Sequence, residues 1–281
     1  LAARMPGILP SLDFDEAVDI TRVYSASGML DKGAGLLRSR PFRAPHHSIT
    51  PAGMIGNAQL APGELSLAHN GVLFLDEVAE FSRGVLELLR GPLEDRSVRL
   101  VRAAGTAVLP ASISLVAAAN PCPCGYAGHP AKPCVCTPGQ VDRYRARLSG
   151  PLIDRIDLQV WVQPIDSEAL VAGEAGESSA RVQARVEAAR QRQVARFGLG
   201  GPRCNAELSG DAIRDAARAT RDAERVLQAV LDKHALSARG WSRILKVART
   251  VADLDGCDRV DVDHVLEASA FRVLAPDEAG P

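Results

Sequence analysis

The apolar run Val72-Leu73-Phe74-Leu75, bounded by Asn70-Gly71 and by Asp76-Glu77, predicts a strand buried on both faces of a parallel sheet. Residues 82–94 follow with Val85, Leu88 and Leu89 at helical spacing, opened by Ser82 as a cap. Val98–Val101 and Ala107–Leu109 flank Arg102-Ala103-Ala104-Gly105-Thr106, the pattern of a β-hairpin or a wider turn. Ile113–Ala119 reads as a second buried strand ending at Asn120-Pro121, Val141–Leu148 as a helix, and Leu158–Val162 as a third strand. Upstream, Leu1–Leu12 reads as the tail of a helix that stops near Pro6-Gly7 and Pro10. Alternating strands and helices argue for an α/β layer.

Residues 31–71 carry many Gly and Pro among short apolar stretches and read as an insertion of loops and short elements. The composition shifts again at residues 164–178, where Gly173, Gly176, Ser178 and Ser179 suggest a linker. Beyond it the periodicity is helical, with helices expected at about 179–196, 209–218, 221–233, 237–254 and 261–271, the last opened by Asp261. The organisation expected is an α/β core at 1–163, a helical domain at 179–272 and a disordered tail at 273–281. A chain that opens at a leucine, inside a helix, suggests a fragment or a truncated reading frame.

With 281 residues, 46% of them hydrophobic, there is material for one large or two medium cores. No apolar run approaches the ~18–20 residues that cross a bilayer, and no basic stretch leads into an apolar one at the N-terminus, so a cytoplasmic protein without membrane contact is expected. A formal charge of -1 offers no global positive field, so contact with nucleic acid has to come from local basic clusters.

An apolar strand ending in Asp-Glu suits nucleotide hydrolysis: Asp76 can hold Mg²⁺ through its water shell while Glu77 polarises the attacking water. The same pattern also arises at ordinary strand ends. Asn120 closes the next strand, and ligands of open α/β sheets sit at the carboxyl ends of strands, so the three polar residues can share one crevice; an Asn-Pro turn is the plainer reading. Four of the six cysteines, Cys122, Cys124, Cys134 and Cys136, fall within fifteen residues. In a cytosolic chain that clustering points to metal before disulfide, and four thiolates suffice for a tetrahedral structural Zn²⁺. The C-x-C spacing is tight, leaving His129 as a substitute ligand and free thiols as the alternative. His46-His47 lies in a Pro-flanked loop and reads as local hydrogen bonding.

Four stretches together resemble the magnesium-chelatase-like AAA+ ATPases of the ComM and YifB type: Arg43-Ala44-Pro45-His46-His47-Ser48; residues 62–77, PGELSLAHNGVLFLDE; Asn120-Pro121-Cys122-Pro123-Cys124-Gly125; and residues 148–157, LSGPLIDRID. The resemblance covers about residues 1–272. It implies an AAA+ P-loop-type core with a helical lid, ATP and Mg²⁺ as cofactors, and a homo-oligomeric, hexameric ring acting on single-stranded or branched DNA. It further implies Asp76-Glu77 as Walker B, Asn120 as sensor 1, Arg155 as an arginine finger reaching a neighbouring subunit, and Arg239 as sensor 2, with Arg243 its rival one turn on. An ion pair of Arg155 with Asp154 or Asp157 is the bland alternative. A hairpin before sensor 1 points into the ring's pore in this branch, so Arg96, Arg99 and Arg102 are the DNA-contact candidates, by salt-dependent and sequence-independent backbone contact. A chelatase-type regulatory ATPase that remodels a metal-insertion partner is the second reading, and a nonfunctional truncated product the third.

One departure stands out. The family's phosphate-binding loop should sit immediately before the opening helix, yet none of the four lysines (Lys32, Lys132, Lys233, Lys246) follows a glycine or precedes Ser or Thr. The chain holds no G-x-x-x-x-G-K-[ST], which predicts weak ATP binding or none.

Overall fold

The computed structural model describes residues 2–103, 105–148, 150–162, 176–198 and 200–272. The expected linker at 164–178 falls largely, and the expected tail at 273–281 wholly, outside the described residues. The chain divides into two compact units, Leu1–Arg155 and Ile156–Pro281.

The first unit opens with a 3-10 run, Ala2–Ile8, that contains Pro6. The helical reading of this stretch was right in kind, but a ring without a backbone donor inside seven residues favours short turns over an α-helix. Helix α1, Phe14–Ala26, escaped the periodicity reading. Its signal was local: Asp13 accepts from the Glu16 amide at 2.7 Å while Glu16 accepts from the Asp13 amide at 3.2 Å, a reciprocal capping box.

Strand β1 (Phe42–Arg43), helix α2 (Pro51–Ile55), helix α3 (Glu64–Leu67) and strand β2 (Val72–Leu75) follow. After β2 the helix expected over 82–94 is split into α4 (Arg83–Leu88), capped by the Ser82 hydroxyl, and α5 (Arg90–Asp95), with Leu89 between them; then comes the antiparallel hairpin of β3 (Ser97–Arg102) and β4 (Gly105–Pro110). Strand β5 (Ser114–Ala117), helix α6 (Pro138–Arg145) and the short α7 (Gly150–Ile153) complete the unit. The three-stranded sheet is parallel, in the order β1-β2-β5, with Val72 opposite both Phe42 and Ser114. Central β2 is buried at Val72, Leu73 and Leu75, as the unbroken apolar run predicted. Its core extends through Met54, Leu65, Val85, Leu89 and Leu100; truncating one such leucine to alanine typically costs about 2–5 kcal/mol.

The stretch 62–71 is what seats β2. Gly71 admits the backbone of Pro41, whose oxygen would lie 2.1 Å from any Cβ there, and Pro41 O accepts the Val72 amide at 2.8 Å. On the other side Asn70 N donates to Ser112 O at 2.7 Å, and buried His69 accepts the Ser112 amide on Nδ1 at 3.0 Å. Arg43 grips Glu64 with two hydrogen bonds of 2.6 and 2.7 Å, locking β1 to α3. That bond to Glu64 is the main reason the Arg43 pKa is raised.

The second unit is helical: α8 (Ser179–Phe197), α9 (Asp211–Ala217), α10 (Arg221–Lys233), α11 (Ala238–Leu254) and α12 (Val262–Ala270). These match the five expected helices within two residues at each end, and Asp261 caps α12 as read from the sequence. The core gathers Ile213, Leu227, Ile244, Leu245, Ala248, Val260 and Val265. Inside it Asp253, fully buried, accepts from Arg249 (3.0 Å), Arg196 and Asn205 (2.8 Å).

The expected third strand at Leu158–Val162 is absent; the segment is irregular. Val160 and Val162 are 64% and 70% exposed, and Gln159 N donates to Phe271 O at 2.8 Å. An apolar alternating run becomes a strand only where a neighbouring edge accepts its backbone groups, and among the described residues no such edge meets it.

Candidate functional site at the carboxyl end of the parallel sheet

The carboxyl ends of β1, β2 and β5 carry, in order, His46-His47, Asp76-Glu77 and Asn120. Parallel pairing continues just past the strands, with Ala118 N donating to Leu75 O (2.9 Å) and Val78 N to Ala118 O (2.8 Å). The two acids therefore stand at the lip of the sheet. Asp76 is exposed, and its Oδ1 accepts the Glu77 amide at 3.0 Å, which orients the carboxylate. Glu77 is in the left-handed region, φ 49 and ψ 47, where the chain turns off the strand into a 3-10 turn at Val78–Glu80. That conformation disfavours any residue with a Cβ, and here it is held by an acid.

His47, assigned no role from the sequence, is a neighbour of this acid: its Nδ1 lies 3.8 Å from Glu77 Oε2. His46 stacks on His47 at 4.0 Å and bonds Ser48 Oγ through Nδ1 at 2.8 Å, while Phe81 presents an edge to His47 at 6.4 Å. The signal available in the sequence was the position of His46-His47 just past Phe42-Arg43, a dipeptide of one apolar and one charged residue. That dipeptide was too short to declare itself a strand.

Helix α6 covers the other flank. Tyr144 is buried, and its phenol pKa is raised, first by burial and then by the Glu80 carboxylate, against an opposing hydrogen bond from the Asn120 backbone. Arg147, just past the helix, donates to Ala79 O at 3.1 Å and to Glu80 at 3.0 Å. Asn120 itself is exposed three residues beyond β5. The structure thus gathers Asp76, Glu77 and Asn120 on one end of the sheet, with His47, Tyr144 and Arg147 around them.

The other sequence candidates disperse. Arg155 pairs with Glu94 at 2.8 Å, its side chain 10% exposed. Arg239 stands exposed on the first turn of α11 in the second unit, while its rival Arg243 binds Asp157 at 2.7 Å. The three hairpin arginines do not share a face. Val98 and Leu100 point into the core, so Arg99 lies opposite them with exposed Val101. Arg96 instead forms the left-handed cap of α5, and Arg102 donates to the neighbouring Val101 O and to Gly56 O at the end of α2.

The cysteines do converge. Sγ of Cys122 lies 3.4 Å from that of Cys124 and 3.6 Å from that of Cys134, and all four ligand atoms fall within 4.8 Å of one another, a set able to hold a metal ion. His129 is not in that set: its Nδ1 accepts the amides of Ala131 and Lys132 at 3.0 and 3.1 Å. Crowding splits the thiols. Amides of Tyr126 and Val135 lower Cys124 to about 6; Cys134 is pulled down by the Cys136 backbone, yet burial and the other thiols push it up to about 12.

Exposed oxygen donors on Asp76, Glu77 and Asn120 fit a hydrated Mg²⁺. The phosphate half is different. No G-x-x-x-x-G-K-[ST] stands in the chain, so the amide cradle and lysine that grip β- and γ-phosphates are not supplied by these 281 residues. Among the described residues no helix is long and apolar enough to cross a membrane.

Comparison with known proteins matches two families in succession along the chain. Residues 1–170 match the family described as magnesium chelatase, subunit ChlI, and residues 176–272 match its C-terminal family. An uncharacterized protein of Mycobacterium tuberculosis is 44% identical over 276 residues, which is 97% of this chain and 54% of that protein. YifB of Escherichia coli and the competence protein ComM of Haemophilus influenzae are each 41% identical over 278 residues, 98% of this chain and 53% of theirs. The chain thus spans about half the length of these relatives. A parallel α/β core of AAA+ type, followed by a helical region and matched over nearly every residue, places this chain in the magnesium chelatase subunit ChlI family.

Proposed function

We propose that this chain supplies the hydrolytic half of the nucleotide site in an ATP-driven ring motor acting on DNA. The observation that carries the reading is the meeting of Asp76, Glu77 and Asn120 at the carboxyl end of one parallel sheet, with Glu77 held in a left-handed conformation. In this reading Asp76 holds Mg²⁺ through water, Glu77 orients the attacking water, and Asn120 senses the terminal phosphate. Bound ATP supplies the transferred phosphoryl group. Arg155 would act on a neighbouring subunit after leaving Glu94, which makes hydrolysis depend on assembly into a homo-oligomeric, hexameric ring. Arg239 would sense phosphate from the helical unit. Single-stranded or branched DNA is the substrate favoured by likeness to a protein named for competence. A structural Zn²⁺ on the four cysteines and a cytoplasmic location belong to the same reading.

By itself the chain is expected to bind ATP weakly, because the phosphate cradle is missing. A dissociation constant in the low micromolar range, measured by titration with Mg-ATP, overturns that. Joined behind a strand-and-loop segment bearing G-x-x-x-x-G-K-T, the chain should hydrolyse ATP, faster with DNA, and Asp76→Asn or Glu77→Gln should abolish turnover. Hydrolysis unaffected by either substitution refutes the assignment. The family description favours one further reading, a regulatory ATPase for metal insertion into a porphyrin; stimulation by a chelatase partner and not by DNA selects it.

A further inference from the structure

The segment between Asn120 and Thr137 has little to hold it by packing: Cys122 is buried, Val135 is 80% exposed, and Gly125 and Gly128 sit at φ 81 and 77. Its order comes from hydrogen bonds that point inward on sulfur and on itself. Ala127 N donates to Cys122 Sγ at 3.3 Å, Gly125 N to Cys122 O at 3.0 Å, and His129 N to Tyr126 O at 3.1 Å. The cysteines are not disulfide-bonded. Four sulfurs about 2.3 Å from a central ion in tetrahedral array stand about 3.8 Å apart. The spacings of 3.4, 3.6 and 3.6 Å among Cys122, Cys124 and Cys134 are slightly contracted from that, far above a disulfide's roughly 2.05 Å. Amides donated to sulfur supply the outer-sphere bonds that thiolate sites use to stabilise their charge.

The loop's position gives the cluster a consequence. It leaves β5 directly after Asn120 and re-enters regular structure at Thr137, which caps α6 in a reciprocal box with Gln140. Helix α6 carries Tyr144, whose phenol meets the Asn120 backbone, and leads into Arg147, which holds Ala79 O and Glu80. A clasp at 122–136 therefore fixes both the end of β5 and the start of the helix that braces the turn after Glu77.

We propose that Cys122, Cys124, Cys134 and Cys136 bind one Zn²⁺ as a tetrathiolate clasp, and that this clasp positions α6 against Asn120 and the Val78–Glu80 turn. The positioning half rests on reading this end of the sheet as a nucleotide site; the metal half does not. Tyr144 and Arg147 are positioning residues in this scheme, acting through Asn120 and Glu80.

The test needs no ATP. Elemental analysis of the purified chain should find about one zinc per molecule, and Co²⁺ exchanged into the site should give the sulfur charge-transfer and d–d bands of a tetrahedral thiolate. Removing the ion with a chelator, or replacing Cys134 and Cys136 by serine, should speed amide hydrogen exchange at least tenfold in 78–80 and 138–147, with the second unit unchanged. Arg147→Ala should retain the zinc and lose protection in 78–80 alone, which separates positioning from unfolding. Cys204→Ser and Cys257→Ser should change neither quantity. Thiols that all react freely without any bound metal, or an iron–sulfur spectrum in place of zinc, overturn the metal assignment. Zinc whose removal leaves exchange at 78–80 and 138–147 unaltered overturns the positioning role.

Discussion

His47 Nδ1 lies 3.8 Å from Glu77 Oε2, although thirty positions separate the two in the sequence. They meet because β1 and β2 run parallel in register, Arg43 opposite Leu73, so the residues leaving both strands emerge side by side. In a hydrolysing ring built on this chain, the imidazole would hold the carboxylate in one orientation. His47→Ala should lower kcat by roughly tenfold with little change in KM for ATP, and His47→Gln should restore part of it. Equal losses in kcat and in folding stability would assign His47 to structure.

Glu77 occupies a left-handed conformation that glycine adopts at less cost. Glu77→Gly should therefore raise the stability of the first unit by about 0.4–1 kcal/mol in urea denaturation while abolishing hydrolysis. Loss of stability would mean that the acid is retained for the fold.

Gly71 faces the opposite constraint. A Cβ there would stand 2.1 Å from Pro41 O and 2.8 Å from two further proline atoms. Gly71→Ala should part β1 from β2 and cost the first unit more than about 3 kcal/mol, read as lost cooperativity in thermal unfolding. Gly91→Ala, with open space around it, should cost less than about 0.5 kcal/mol.

Asp253 anchors the helical unit by accepting from Arg249, Arg196 and Asn205 in a fully buried position. Desolvation lowers the Arg249 pKa, and the Asp253 charge offsets that. Asp253→Ala strands a buried guanidinium and should cost about 3–5 kcal/mol in denaturant unfolding of this unit. Pairing it with Arg249→Met should recover most of the loss.

Arg99 is the hairpin arginine opposite the buried face, beside Val101 and paired across the ladder with exposed Val108. If the hairpin touches DNA, Arg99→Ala should weaken binding to every sequence alike and reduce the slope of log affinity against log salt by about one. Arg102→Ala should have less effect on that slope, since Arg102 is turned onto Gly56 O. An unchanged slope for Arg99→Ala removes the hairpin from the interface.

Much of this was legible along the chain. The run at 72–75, the hairpin, the strand before Asn120 and five helices, the last with its cap Asp261, were readable because each depends on periodicity and on neighbours three or four residues away. The clustering of four cysteines was readable for the same reason, being local in sequence. Apart from α1, whose capping box at Asp13 and Glu16 was local and was passed over, what failed was non-local. Leu158–Val162 has strand character but meets no edge, and β1 forms with two residues because Gly71 lets Pro41 close on β2.

Sequence alone thus determined most of the element types, the acidic strand end, the thiolate set and the lack of a phosphate-binding loop in these residues. Only the tertiary structure decided that His47 faces Glu77, that Arg155 is tucked against Glu94, that the hairpin arginines diverge, and that Arg147 braces the turn beside the acids. Local hydrogen bonding and burial write a period into the chain. Contacts between distant segments follow from register and close backbone approach, which no period records.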